Sequence, residues 1–189
     1  LRPKAKLKSK RPEFGFHSKI VKSSNTPKWV QVDLGQPIEL RRVVLRPCHD
    51  EFNNIGGGFG FPVRFKVEGA LKADSKEAML LTDQTQTDFP NPDIAPVGFD
   101  VKAKARFLRI TVTKLAKRSN DFIFALSELE ALDATNKNIS RGAKVTSLDS
   151  IEAPVRWRRA NLTDGHFPIA ADESAIAALQ KAQHNRQTV

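Results

Sequence analysis

The sequence predicts an all-β fold, an antiparallel β-sandwich. Two observations carry this. Several short stretches alternate apolar and polar residues with period two, most cleanly residues 63–68 and 106–114. Gly, Pro and Asn punctuate the intervals between them, and no strong helical pattern occurs before the C-terminal tail. A chain of 189 residues suits one domain with appendages, and it can bury a core without a disulfide or metal staple.

The elements follow in order. Residues 1–14 form a basic arm or linker, with Arg2, Lys4, Lys6, Lys8, Lys10 and Arg11 before the first acid. Residues 19–28, rich in Ser, Asn and Pro, read as loop. Residues 29–34 alternate, with Val30, Val32 and Leu34 on one face and Trp29, Gln31 and Asp33 on the other. Residues 35–37 read as a turn, and 40–46 as a second strand with β-branched Val43 and Val44. A long glycine-rich loop spans 48–62. Residues 63–68 place Val63, Phe65 and Val67 inward. A short apolar run at 78–81 follows, then a loop at 88–96 with three prolines. Residues 106–114 turn Leu108, Ile110 and Val112 to one face. A charged loop at 117–121 leads into 122–132, and 143–147 adds a strand. In the tail, Asp172 and Glu173 can cap a short helix whose Ile176, Leu179 and Ala182 share a face.

Cys48 is the only cysteine, so no intrachain disulfide forms. No apolar run reaches the roughly 18 residues of a membrane helix. The chain starts at Leu1 without a signal peptide and reads as part of a longer protein. The net charge is +10, much of it in the arm, which argues against a dedicated nucleic-acid domain. Neither G-x-S-x-G, HExxH nor CxxC occurs, so no catalytic residue is predicted.

The ordered set WVQVDLG, a VVL strand, an alternating FKV strand, RFLRITVTKL and FALSELEAL resembles the discoidin family. That family comprises the coagulation factor V/VIII C-type domains and the galactose-binding-like carbohydrate-binding modules of bacteria. The resemblance covers residues 15–134 and implies a jelly-roll sandwich with ligand loops at one end. The family's opening GA.VTAS-like strand and A..DG segment are missing ahead of the Phe-His-Ser at 16–18. Residues 138–165, NISRGAKVTSLDSIEAPVRWRRANLTDG, look like that opening. Two explanations stand: a second, truncated module begins there, or one sandwich is circularly permuted and residues 135–170 complete it. The tail at 171–189 stays peripheral.

The resemblance also implies a function and a site. It points to a noncatalytic carbohydrate-binding module of a larger, exported bacterial protein, extracellular or periplasmic. Its partners would be a glycan or polysaccharide and the other domains of the parent protein, with no nucleic acid and no membrane span. A sugar site needs planar hydrogen-bonding side chains and a flat apolar surface; His49, Asp50, Asn53 and Asn54 supply the first, and Phe59 with Phe61 the second. Asn53 falls where the galactose-binding modules carry an Asn. Their basic position falls on Cys48, flanked by His49 and Arg46. Phe122 takes the place of the family's aromatic platform before the last strand. His17 reads as a hydrogen-bonded structural residue; Trp157, among Arg156, Arg158 and Arg159, reads as a cover for the sandwich or as a stacking surface with a cationic rim. Relatives hold a structural calcium ion, for which Asp164 and Glu128 are the matching carboxylates. The basic residues Arg46, Arg64, Lys117 and Arg118, with the arm, favour an anionic glycan. Two alternatives remain open: a protein-interaction or spacer module, if Phe59, Phe61 and Phe122 are all buried and no concave polar site remains, and a phospholipid-binding domain, if the tip at 59–61 projects.

Overall fold

The computed structural model describes residues 14–169. Nearly all of the basic arm and the whole expected tail helix lie outside the described residues. In chain order the strands are β1 (Phe16–His17), β2 (Lys28–Arg46), β3 (Cys48–Asp50), β4 (Gly56–Phe59), β5 (Arg64–Ala70), β6 (Met79–Gln84) and β7 (Val97–Lys114). There follow β8 (Ala116–Lys117), β9 (Phe122–Ile123), β10 (Ala125–Leu126), β11 (Glu128–Leu132) and β12 (Lys144–Ser147). Two 3-10 turns, Phe52–Asn54 and Arg159–Thr163, complete the inventory, and no α-helix occurs among the described residues.

The fold is an all-β, antiparallel sandwich. Its main sheet runs β11-β2-β7-β5-β6, and β12 pairs with the other half of β2. β11 lies opposite Arg42 to Arg46, whereas β12 lies opposite Val30 to Asp33. Smaller ladders β1-β10, β3-β4 and β8-β9 close the structure. A single core contains Val30 and Val32 from the first half of β2 and Val43 and Leu45 from the second. The long β2-β7 ribbon therefore wraps that core. Its register breaks between Asp33 and Ile38, and again between Leu40 and Arg42. Extra residues on one strand of a pair bend it in this way.

The alternating stretches take the predicted faces: Phe65, Val67, Leu108, Ile110 and Val112 are fully buried. Two expectations change. The turn at 35–37 is instead an outward bulge within one continuous strand, four residues opposite the single Arg106. Gly35 takes φ +84° there, and Arg106 clamps the preceding Asp33 through two hydrogen bonds of 2.8 and 3.0 Å. β7 also begins nine residues before the expected 106, at Val97. The segment after Leu132 packs on the same body. Leu162 lies in the main core, and Ser140 donates to the Leu129 carbonyl at 2.8 Å.

Candidate functional site

The expected loop at 48–62 is a hairpin, with β3 paired antiparallel to β4. Asn53 and Asn54 turn it with φ of 52° and 56°, a region that Asn tolerates better than most residues. Glycines then allow a close approach. A Cβ on Gly57 would lie 1.7 Å from Asp93 Oδ1, and one on Gly58, at φ +72°, 1.7 Å from Asn91 Oδ1. The Asn91 amide donates to the Gly57 carbonyl at 3.2 Å, which holds the 91–93 loop against the hairpin.

Beside the hairpin is a cavity of about 200 Å³ lined by residues that include His17, Asp50, Phe52, Phe59, Arg118 and Arg156. Its floor is aromatic. Phe59 stacks on Trp157 with ring centroids 6.0 Å apart, and the His17 ring meets Trp157 edge-on at 5.0 Å. All three are buried. The rim is apolar and open, with Phe52 44% and Ile20 42% exposed. The polar wall is an ion pair: Arg156 Nη2 donates to Asp50 Oδ2, while Asp50 Oδ1 accepts the Phe52 amide at 2.9 Å. Arg118 sits 4.4 Å over the Phe52 ring and is tied to Asp121 by hydrogen bonds of 2.9 and 2.8 Å. That pairing holds the Asp121 carboxyl below its ordinary range.

Arg156 and Trp157 arrive from the C-terminal segment. Ala153 and Trp157 exchange backbone hydrogen bonds of 2.7 and 3.0 Å, and the buried Asn161 amide donates to the Val155 and Arg156 carbonyls. The Ile151 amide donates to the His17 carbonyl at 2.8 Å, and Gly15 bridges Trp157, so this segment docks directly on β1. Asn161, part of a glycosylation sequon, is thus buried inside the turn it organises.

His17 has a defined tautomer. Its Nδ1 lies 2.6 Å from the Ser18 carbonyl, and a carbonyl oxygen only accepts, so Nδ1 carries the proton. The neutral ring leaves Nε2 as an acceptor in a cavity-lining side chain. Burial lowers the His17 pKa, opposed in part by the Ser18 bond. Cys48, at the family's basic position, is fully buried, and burial with nearby Asp50 pushes its thiol well above the ordinary range. It is a packing residue.

The predicted site residues divide. Asp50 and Phe59 line the cavity, but Phe59 is 2% exposed and forms floor, not a projecting platform. His49 stands on β3 with Nε2 3.0 Å from Glu51 Oε1. Asn53 donates to the Arg118 carbonyl at 3.1 Å, and Asn54 is exposed at the turn. Phe61 is buried against Phe65, so the expected tip at 59–61 does not project. Phe122 is half-buried against the main core and does not line the cavity. Arg46 does not reach it either. Its Nε bonds Glu130 Oε2 at 3.0 Å, and its guanidinium lies 3.9 Å over the Phe167 ring.

Sequence reasoning missed the lining residue Phe52, read His17 as structural, and favoured a covering role for Trp157 over a stacking surface with Arg156 in its cationic rim. The cluster Arg-Trp-Arg-Arg at 156–159 was the available signal. Glu128 is tied to the residue after Asp164. The Gly165 amide donates to both oxygens of the fully buried Glu128 at 3.1 Å, and Asp164 Oδ1 accepts the His166 amide at 3.0 Å. No group of three or more His, Cys, Asp or Glu side chains gathers as metal ligands among the described residues.

No protein-family model and no curated protein matches the chain. Solved structures are similar to it. One is CBM32-3 from a family 31 glycoside hydrolase of Clostridium perfringens, at 17% identity and TM-score 0.48, covering 62% of this chain and 74% of that one. The family 32 CBM of C. perfringens NanJ, solved with galactose, gives 17% identity and TM-score 0.45 over 61% of this chain and 73% of its own. Chitosan-binding module 1 of a chitosanase/glucanase from Paenibacillus sp. IK-5 gives 14% and 0.43 over 59% and 73%.

Proposed function

We propose that this chain is a noncatalytic carbohydrate-binding module of a larger, exported bacterial protein, and that it grips a glycan in the cavity between the β3-β4 hairpin and the 151–157 loop. The cavity's composition carries the reading. A preformed wall of Asp50 and Arg156 can accept from and donate to adjacent sugar hydroxyls, and His17 Nε2 adds an acceptor. The exposed Phe52 ring offers an apolar face for the C–H side of a sugar. The ordered motifs that resemble the galactose-binding-like modules support the same reading. Residues 138–165 then belong to this one sandwich, in the permuted arrangement, since they supply the Arg156 wall.

The charge argument for an anionic glycan weakens, because three of the four cations named outside the arm are engaged, Lys117 being the exception. Arg46 pairs with Glu130, Arg64 with Asp88 and Arg118 with Asp121. The spacer alternative required Phe59, Phe61 and Phe122 buried with no concave site; Phe122 is half-buried and the cavity is present. The phospholipid alternative required a projecting tip at 59–61, and both rings are buried.

A glycan array probed with the wild-type chain, Phe52→Ala and Arg156→Ala tests the reading. Retention of a glycan by wild type, lost in both variants, is expected. Equal retention by all three would move the site elsewhere.

A structural calcium belongs to the same proposal. Asp164 and Glu128 are hard oxygen donors, the latter tied to Gly165 next to the former, and backbone carbonyls would have to complete the set. The ion would staple residues 160–165 to β11. Calcium should raise the melting temperature of wild type and leave Asp164→Asn unmoved. No response of wild type to calcium or chelator would remove the ion from the account.

A further inference from the structure

A second depression, of about 130 Å³, lies beside the first and has no role so far. Ile55, Gly58, Gly60, Phe61, Phe89 and Lys117 are among the residues that line it, with Pro90 and Asn91 at its edge. The two depressions share their walls. Phe59, the last residue of β4, lines the first, and its neighbours Gly58 and Gly60 line the second. In the next loop Arg118 lines the first and Lys117 the second. Across the hairpin turn, Phe52 lines the first and Ile55 the second. Two pieces of chain, the hairpin and residues 117–118, thus contribute to both depressions, and the hairpin divides them. Its crest is formed by Asn53 and Asn54, both exposed.

Resting on the glycan reading above, we propose that the second depression is a further sugar subsite. The module would then take a linear oligosaccharide that crosses the Asn53 and Asn54 crest, in preference to a single terminal sugar. The second depression has the required chemistry. Exposed Pro90 and half-buried Phe89 present apolar surface, the latter backed by Phe61 with ring centroids 5.8 Å apart. Exposed Lys117 supplies donors, and exposed Asn91 supplies an amide at the edge. Gly58 lets Asn91 close in on this side, since a Cβ there would lie 1.7 Å from Asn91 Oδ1. The Asn at the crest, held by its bond to the Arg118 carbonyl, stands between the two depressions. A bare monosaccharide would fill one depression and leave the crest and the second unused. Joining two subsites makes the second contact intramolecular and raises affinity without strengthening either.

Isothermal titration with D-galactose, D-glucose and D-glucosamine, and with their β-1,4-linked oligomers of two to four units, tests this on the whole chain. One sugar series should bind about tenfold or more tightly as a trimer or tetramer than as the monomer. The double variant Pro90→Ala, Lys117→Ala, at two exposed lining residues, should lose that gain and keep the monomer's affinity and the wild-type melting temperature. Equal affinity for monomer and oligomers, abolished by Arg156→Ala, would overturn the second subsite and leave the module reading intact. A length gain that persists in the double variant would also overturn it. No binding of any oligomer would overturn both.

Discussion

Replacing Arg156 by alanine removes the ion-pair partner of Asp50, a carboxylate whose side chain is 8% exposed while that of Arg156 is 50% exposed. A fully buried pair broken at one end costs about 3–5 kcal/mol. Here one partner is half in water and Asp50 keeps the Phe52 amide bond, so the loss falls to about 1–2 kcal/mol. For a domain of this size that is a drop in melting temperature of about 2–8 °C. The effect on binding is separate. A hydrogen bond from a charged donor contributes about 1.5–3 kcal/mol, so a glycan held by this guanidinium should bind about 10- to 100-fold more weakly. Arg156→Lys keeps the charge but not the fork, and should fall between. Thermal melts and isothermal titration on the same samples separate the two effects. A lowered melting temperature with affinity within twofold of wild type would make the pair purely structural and refute its place in the binding wall.

Three further outcomes follow from single residues. Burial lowers the His17 pKa, so as pH falls below the ordinary value near 6.5 the unfolded chain takes the proton first. Stability should therefore be full above that value and decline below it, by at most about 1.4 kcal/mol per pH unit from this group, and His17→Gln should flatten that decline in pH-dependent melts; an identical slope in the variant would assign it to other groups. Gly60→Ala should destabilise by about 1–3 kcal/mol, because φ is +71° and the new Cβ would lie 2.6 Å from the Ala125 Cβ and 2.9 Å from its backbone nitrogen; an unchanged denaturation midpoint would contradict that packing. Buried Cys48, its thiol pushed upward, should resist iodoacetamide in the native chain and react on unfolding. Rapid native labelling would mean that the hairpin opens readily.

Legibility in the sequence followed locality. Residues 63–68 and 106–114 announce their faces because each strand sees one core on one side. The first half of β7 carried the same signal, Val97, Phe99, Val101, Ala103 and Ala105 alternating with Gly98, Asp100, Lys102 and Lys104. No element is predicted between the proline loop that ends at 96 and the strand that begins at 106. Gly35 and Pro37 read as a turn because the same residues serve a bulge, and only the partner Arg106 distinguishes the two. In the site, Asp50 was legible as a polar residue of a glycine-rich hairpin. Its pairing with Arg156 was not, since the two meet across 106 positions of sequence. Phe59 and Phe52 share a hairpin and differ only in which side of it faces the core. Pattern alone ranked the wrong ring as the exposed one.

The most direct test of the account is an amide-resolved NMR titration with the glycan that the array retains best. The account predicts shifts confined to residues 17–20, 50–63, 89–91, 116–118 and 151–157, which line the two depressions. Shifts centred on the exposed edge at Leu71, Met79 and Leu80, with those residues silent, would contradict it.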